Sequence, residues 1–323
     1  MTEIVAADIG GTHARFAIAK IEDGKVVTLS EPVILKCAQY ASLQTAWEAY
    51  RAQSGRNIPL QGSFALATPI RGDLLKMTNN PWVIRPAALC ESLGMEKINL
   101  INDFGAIGHA VQQSNTNTLK HLCGPDNPMP DNGVISIVGP GTGLGVAQLI
   151  RTSTDYHVIE TEGGHIDFAP LDSVEDLILA RMRKQYLRVS VERIVSGPAM
   201  RAIYETLAAI ENRQISNMDD STLWELALDR NDSLADAAFE RFCLCLGAVT
   251  GDIALTQGAR AVVIAGGLGQ RIQKRLSDSG FADRFVAKGR YRKMMESIPV
   301  KLITHPQPGL LGAAAAFASR ENS

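Results

Sequence analysis

The sequence predicts an α/β protein of two domains, and three observations carry that reading. The first hundred residues run strand, strand, strand, helix, strand, an order that builds a mixed sheet covered by helices. At 323 residues the chain exceeds the about 100–200 residues of a usual domain. A strand that enters a Gly-Thr turn and leaves as a second strand occurs twice, at residues 8–12 and 139–145, which suggests an internal duplication.

The first copy opens the chain. Ile4-Val5-Ala6-Ala7 is short and apolar enough for a buried strand, and residues 14–19 alternate as a second strand would. Between them, Asp8-Ile9-Gly10-Gly11-Thr12 offers bare backbone N–H groups and a hydroxyl, the makings of a phosphate cradle. Alone, the same residues also make an ordinary tight hairpin. Residues 26–28 read as a third strand, 42–53 as a polar helix and 62–67 as a buried strand. Residues 71–82 read as a strand entering a polar loop. There Thr78, Asn79 and Asn80 precede Pro81, a pattern commoner in turns than in a loop that reads hydroxyl groups.

A helix over 86–93 ends at Gly94, and a strand over 97–101 stops at Asn102-Asp103-Phe104-Gly105 before a helix over 106–112. The carboxyl ends of strands are where open α/β sheets bind ligands, although aspartate at a helix start is more often a cap. Residues 115–132 read as loop crossing between domains. The second copy follows: strand 134–138, the turn Gly139-Pro140-Gly141-Thr142-Gly143-Leu144-Gly145, and strand 146–150. Two such turns in successive units point to a ligand phosphate held from both. Neither contains the spacing of a P-loop or of a dinucleotide-binding turn.

Beyond the second turn, a strand over 156–160 runs into Glu162-Gly163-Gly164-His165, where glycines let two side chains converge. A helix over 172–187 follows. Glu192, which read alone is a solvated charge, precedes the helix start at Ser196-Gly197-Pro198. Helices over 222–228 and 233–257 come next, the second apolar nearly all round. A strand over 261–265 ends at Gly266-Gly267-Leu268-Gly269 before a helix from Gln270, where small residues admit a flat or anionic group. A strand over 300–304 and an alanine-rich helix over 309–319 close the chain.

Composition bounds the partners. A net charge of −2, with 46% hydrophobic and 20% charged residues, is that of an ordinary globular protein and gives no reason to expect nucleic acid or an anionic membrane. The N-terminus has no leader pattern and no apolar run reaches the ~20 residues of a membrane span, so a cytoplasmic protein is expected. Five cysteines without a CxxC pair encode neither a disulfide framework nor a zinc site.

Taken together, these motifs resemble the bacterial glucokinase family of the hexokinase, actin and heat-shock ATPase superfamily over essentially the whole chain. Asp8-x-Gly10-Gly11-Thr12 is similar to its first phosphate motif, Gly139-x-Gly141-Thr142-Gly143 to its second, and Ile264-Ala265-Gly266-Gly267 to its adenosine motif. Residues 101–104, 162–168 and 196–198 look like its sugar-site motifs. The resemblance implies a two-domain actin-like ATPase fold, a duplicated ribonuclease H-like unit with a nucleotide and sugar cleft between domains. The small domain would comprise residues 1–112 plus 304–323, and the large one residues 113–303.

By the same resemblance the protein phosphorylates D-glucose with ATP and Mg²⁺. Asp103 is the general base, and Asn79, Asn102, Glu162, His165 and Glu192 are the other sugar contacts. Asp8, Ile9, Gly10, Gly11, Thr12, Gly139, Gly141, Thr142, Gly143, Gly266 and Gly267 bind the nucleotide, with Asp8 touching the metal mostly through water. A homodimer is expected on the same ground. The chemistry agrees: a sugar hydroxyl is a poor nucleophile and needs a carboxylate to orient it and take its proton. A mixed Asn/Asp/Glu/His set without Lys or Arg suits a neutral polyol. His13 and Ala199 depart from the family's usual Asn and Gly, which bears on fine specificity. The family's zinc-binding, DNA-binding relatives are disfavoured, since only a few residues precede Asp8. The alternatives are a kinase for another hexose and an actin- or chaperone-like ATPase module.

Overall fold

The computed structural model describes residues 1–55, 57–77 and 80–321, which fall into two compact units. The first comprises Met1–Asn115, Val158–Glu160 and His305–Ser323, and the second comprises Thr116–His157 and Thr161–Thr304.

In the first unit the strands are β1 (Thr2–Ile9), β2 (His13–Glu22), β3 (Lys25–Leu29), β4 (Val33–Lys36), β5 (Gln61–Leu66), the two-residue pair β6 (Leu75–Lys76) and β7 (Val83–Ile84), and β8 (Lys97–Asn102). The main sheet is ordered β3-β2-β1-β5-β8, with β4 also on β2. β1 runs antiparallel to β2 and parallel to β5, which is parallel to β8. Both faces are covered, which is why β1 is apolar at successive positions rather than alternating. Val5, Ala7 and Ile9 face a core with Phe16, Trp47 and Phe64, where the Phe16 and Tyr50 rings stack at 4.9 Å. Ile4 and Ala6 face the final helix, Pro308–Glu321. The alanines of that helix permit a close approach to helix Asp103–Gln113: a Cβ on Gly312 would lie 3.0 Å from Ala106 Cα.

The second sheet holds β9 (Leu119–Cys123), β10 (Gly133–Pro140), β11 (Leu144–Arg151), β12 (Tyr156–Thr161), β13 (Ala259–Ile264) and β14 (Val300–Ile303), in the order β12-β11-β10-β13-β14-β9. It lies in the second unit except for residues 158–160 of β12, which belong to the first. β10 pairs antiparallel with β11 and parallel with β13, which is parallel to β14, repeating the pairing of β1 with β2 and β5 and of β5 with β8. The helix Ser233–Gln257 has the bounds the sequence predicts, and Phe239, Phe242, Cys243, Cys245 and Leu246 on it are fully buried. Glu175 is also fully buried, held by Arg241 and Arg284.

Several local readings change. The loop expected over 115–132 contains β9, which completes the sheet edge by pairing antiparallel with β14. The helix expected from Asp172 to Leu187 ends at Arg183. Two helices, Phe281–Val286 and Arg292–Glu296, are too short to show a periodicity and are absent from the sequence reading. Among the described residues no helix is long and apolar enough to cross a membrane.

Candidate active site

The first Gly-Thr turn joins β1 to β2. Gly10 N–H donates to His13 O at 2.9 Å, closing a three-residue connection in which Gly10 and Gly11 are half-buried and Thr12 is exposed. Cys37 supports it: its N–H donates to Thr12 O at 2.9 Å and its thiol to Gly10 O at 3.5 Å. Burial pushes that thiol up from its ordinary range. Asp8 stands opposite Arg15 in the ladder, with Arg15 Nη1 3.3 Å from its Oδ2. Burial pushes the Asp8 carboxyl up, and the Arg15 guanidinium opposes the shift. The last helix also comes against Asp8: a Cβ on Gly309 would lie 2.6 Å from its Cγ.

At the same sheet edge β8 turns into a helix. The register pairs Ile9 with Leu66 and Leu66 with Asn102, so the Gly-Thr turn and Asn102 lie two strands apart, about 10 Å. The helix begins at Asp103, earlier than the sequence suggests, and its N-cap is Asn102 rather than Asp103. Asn102 Oδ1 accepts from the N–H groups of Phe104 at 2.9 Å and Gly105 at 3.3 Å, while its Nδ2 donates to Thr68 O at 3.3 Å. Asp103 Oδ1 accepts from Phe104 N–H at 2.8 Å. With Asn102 as the cap, Asp103 sits half-exposed in the first turn, where the helix N-terminus favours a carboxylate. Asn79 lies outside the described residues.

In the second unit β10 and β11 are joined by Gly141-Thr142-Gly143, where Gly141 N–H donates to Gly143 O at 2.8 Å. Three segments hold this turn. Gly197 N–H donates to Gly141 O at 2.7 Å. Gly266, at φ +81° and close under the hairpin, could take no side chain: a Cβ would lie 2.7 Å from Pro140 O. Glu192 Oε2 accepts Leu144 N–H at 3.0 Å, and a Cβ on Gly143 would lie 2.9 Å from its Cδ. Glu192 is therefore tied to the hairpin rather than solvated.

The glycines of the 162–165 loop also meet this hairpin, since Gly164 is packed directly under the Leu144 carbonyl. His165 Nε2 lies 3.8 Å from Glu162 Oε2, with both side chains exposed, and Arg188 Nη2 donates to the His165 carbonyl at 2.6 Å. Gly266 and Gly267 form the first turn of helix Gly266–Leu276, so the helix starts four residues before Gln270. A cavity of about 690 Å³ adjoins the turn, lined by Thr142, Tyr186, Glu192, Arg193, Ser196 and Arg201.

The glucokinase family model matches residues 5–320. The glucokinase of Zymomonas mobilis is 58% identical over 318 residues, covering 98% of each chain. The chain belongs to the glucokinase family. The glucokinase crystal structure from an Antarctic psychrotroph superposes with a TM-score of 0.86 at 31% identity, covering 100% of both chains. A ROK family glucokinase from Streptomyces griseus, solved with glucose and AMPPNP, shares the fold at TM-score 0.64 and 15% identity, covering 99% of this chain and 100% of that one. The two-domain actin-like ATPase fold follows, and with it an ATP-dependent hexose kinase.

In this glucokinase family member, the sequence reading missed three supports, Arg15, Cys37 and Arg188. Arg15 did leave a signal, as the one charge among the otherwise apolar residues 14–19. Among the described residues no group of three or more His, Cys, Asp or Glu side chains could hold a metal ion. The donor set suits a hard cation brought in by nucleotide phosphates, as Mg²⁺ commonly is, with Asp8 as the protein carboxylate at the turn.

Proposed function

We propose that this hexose kinase transfers the γ-phosphoryl group of ATP to the 6-hydroxyl of D-glucose, with Asp103 as general base. Asp103 takes the hydroxyl proton as the O6–Pγ bond forms and the bond from Pγ to the β-phosphate oxygen breaks, leaving glucose 6-phosphate and ADP. The observation that carries this reading is the placement of Asp103. It is the first residue of its helix, at the sheet edge that also carries Gly10-Gly11-Thr12, with the capping duty taken by Asn102. Ile9, Gly10, Gly11 and Thr12, with Gly139, Gly141, Thr142 and Gly143, cradle the phosphates, and Gly266 and Gly267 receive the adenosine. Mg²⁺ rides on the phosphates, with Asp8 reaching it through water.

Asn79, Asn102, Glu162, His165 and Glu192 hold the remaining sugar hydroxyls. Asn102 does so with the amide hydrogen that its cap and its Thr68 bond leave over. The homodimer and the cytoplasmic setting are supported by the family resemblance, and sedimentation velocity tests the first. Asp103→Asn keeps the shape and removes the base, so kcat at saturating glucose should fall by about 10²–10⁴. Near-wild-type turnover would remove Asp103 from that role. A hexose panel with the product identified by NMR separates glucose from mannose, fructose or glucosamine as acceptor. ATP hydrolysis without a sugar product would instead favour an ATPase module.

A further inference from the structure

Among the described residues β8 is the last strand of its sheet, so backbone donors along its outer edge face no further strand there. At its end, Asn102 N–H donates instead to the carboxylate of Glu160, at 2.9 Å from Oε1. Residues 158–160 belong to the same compact unit as Asp103. Their fit to the helix Asp103–Gln113 is specific. Gly105 and Gly108 lie three residues apart on one helix face, and Val158 and Glu160 lie two apart on one side of an extended segment. A Cβ on Gly105 would come 2.9 Å from Glu160 Cγ, and one on Gly108 2.5 Å from Val158 Cγ1. Two absent side chains thus make the seats for two present ones.

We propose that Glu160 is a positioning residue for phosphoryl transfer: seated in the Gly105 notch, its carboxylate grips the Asn102 N–H and fixes the turn on which Asp103 stands. The inference rests on the reading of Asp103 as the base. Asn102 is both the last residue of β8 and the cap of the helix, so a shift of its backbone moves Asp103 directly. A hydrogen bond to an ionised acceptor is stronger than a neutral one, and a misplacement of about 1 Å at a reacting group can cost about 10² in rate.

Steady-state kinetics of Glu160→Ala, Glu160→Gln and Asp103→Asn test this. Glu160→Ala should lower kcat at saturating substrates by about 10–100-fold and leave the KM for ATP within about 2-fold. Glu160→Gln keeps a neutral acceptor at the same place and should recover kcat to within about 3-fold of wild type. A purely structural role would lower the thermal midpoint and leave kcat per folded molecule unchanged. Wild-type kcat in Glu160→Ala beside an inactive Asp103→Asn overturns the positioning role alone, whereas an active Asp103→Asn overturns the base itself. If Glu160→Ala does not fold, Gly105→Ala decides. Alanine is favoured over glycine in a helix, yet here its methyl displaces Glu160, so kcat should fall in the same direction. An unchanged kcat in a folded Gly105→Ala would sink the proposal.

Discussion

The two Gly-Thr hairpins share a plan and differ in what holds them. Each has a three-residue connection leaving one exposed threonine, and each joins the second and third strands of a sheet whose first five positions follow the same order. The first carries its acid inside, Asp8 on β1, and is braced by the amide and thiol of Cys37. In the second the matching position is Gly139, two residues before the turn, and the acid arrives from outside as Glu192, bound to Leu144 N–H. The scaffold occurs twice: in one copy the charge, Asp8, belongs to the hairpin's own strand, and in the other the charge, Glu192, comes from another segment and holds the hairpin's backbone.

Changes that exchange or remove these supports test the contrast. The largest effect is expected at Asp8. On the proposed role of Asp8 at the nucleotide, Asp8→Asn should lower kcat by about 10² or more, because a charge that stabilises the transition state would be lost. A kcat within about 3-fold of wild type would deny the first hairpin its acid role. Next is Glu192→Ala, which frees the second hairpin and, on the proposed reading, removes a sugar contact as well, so the KM for ATP and for glucose should both rise by about 10-fold. If only the glucose KM moves, the bond to Leu144 is incidental.

The units should also differ in acid. Burial, helped by the nearby charge of Arg320, pushes His109 in the first unit down to about 4, and burial pushes His305 in the same unit down too. A histidine more acidic in the fold than in the open chain takes up its proton first in the unfolded state. Its contribution to stability is therefore full above about pH 6.5 and is lost progressively as pH falls toward 4. The thermal midpoint should drop over that window by an amount worth on the order of 2 kcal/mol, and His109→Gln should flatten the drop. The smallest effect is expected at Cys37. Cys37→Ser keeps a donor under Gly10, so the KM for ATP should rise about 2-fold or less, and Cys37→Ala slightly more.

Much of this was legible because it depends on local pattern. The long buried helix, the second hairpin and the strand ends at Asn102 and Gly266 are marked by apolar runs meeting glycine or a polar pair. What escaped was held by distant partners. β9 exists because β14 needs a neighbour, and its own residues, Leu-Lys-His-Leu-Cys, carry too few alternations to announce a strand. The cap at Asn102 could not be told from one at Asp103, because adjacent Asn and Asp are equally good acceptors and only the start of the helix chooses between them. Glu192 looked solvated because nothing in its neighbourhood in sequence names Leu144, some fifty residues earlier, as its donor.

The close seat of the last helix sets an order of assembly. Leu310, Ala313, Ala314 and Phe317 cover the face of the first sheet that carries Ile4, Ala6 and Ala65, yet in the chain they follow the whole of the second unit. The first unit must therefore wait with one apolar face uncovered while the second is synthesised, and its core closes only after that of the later unit is complete.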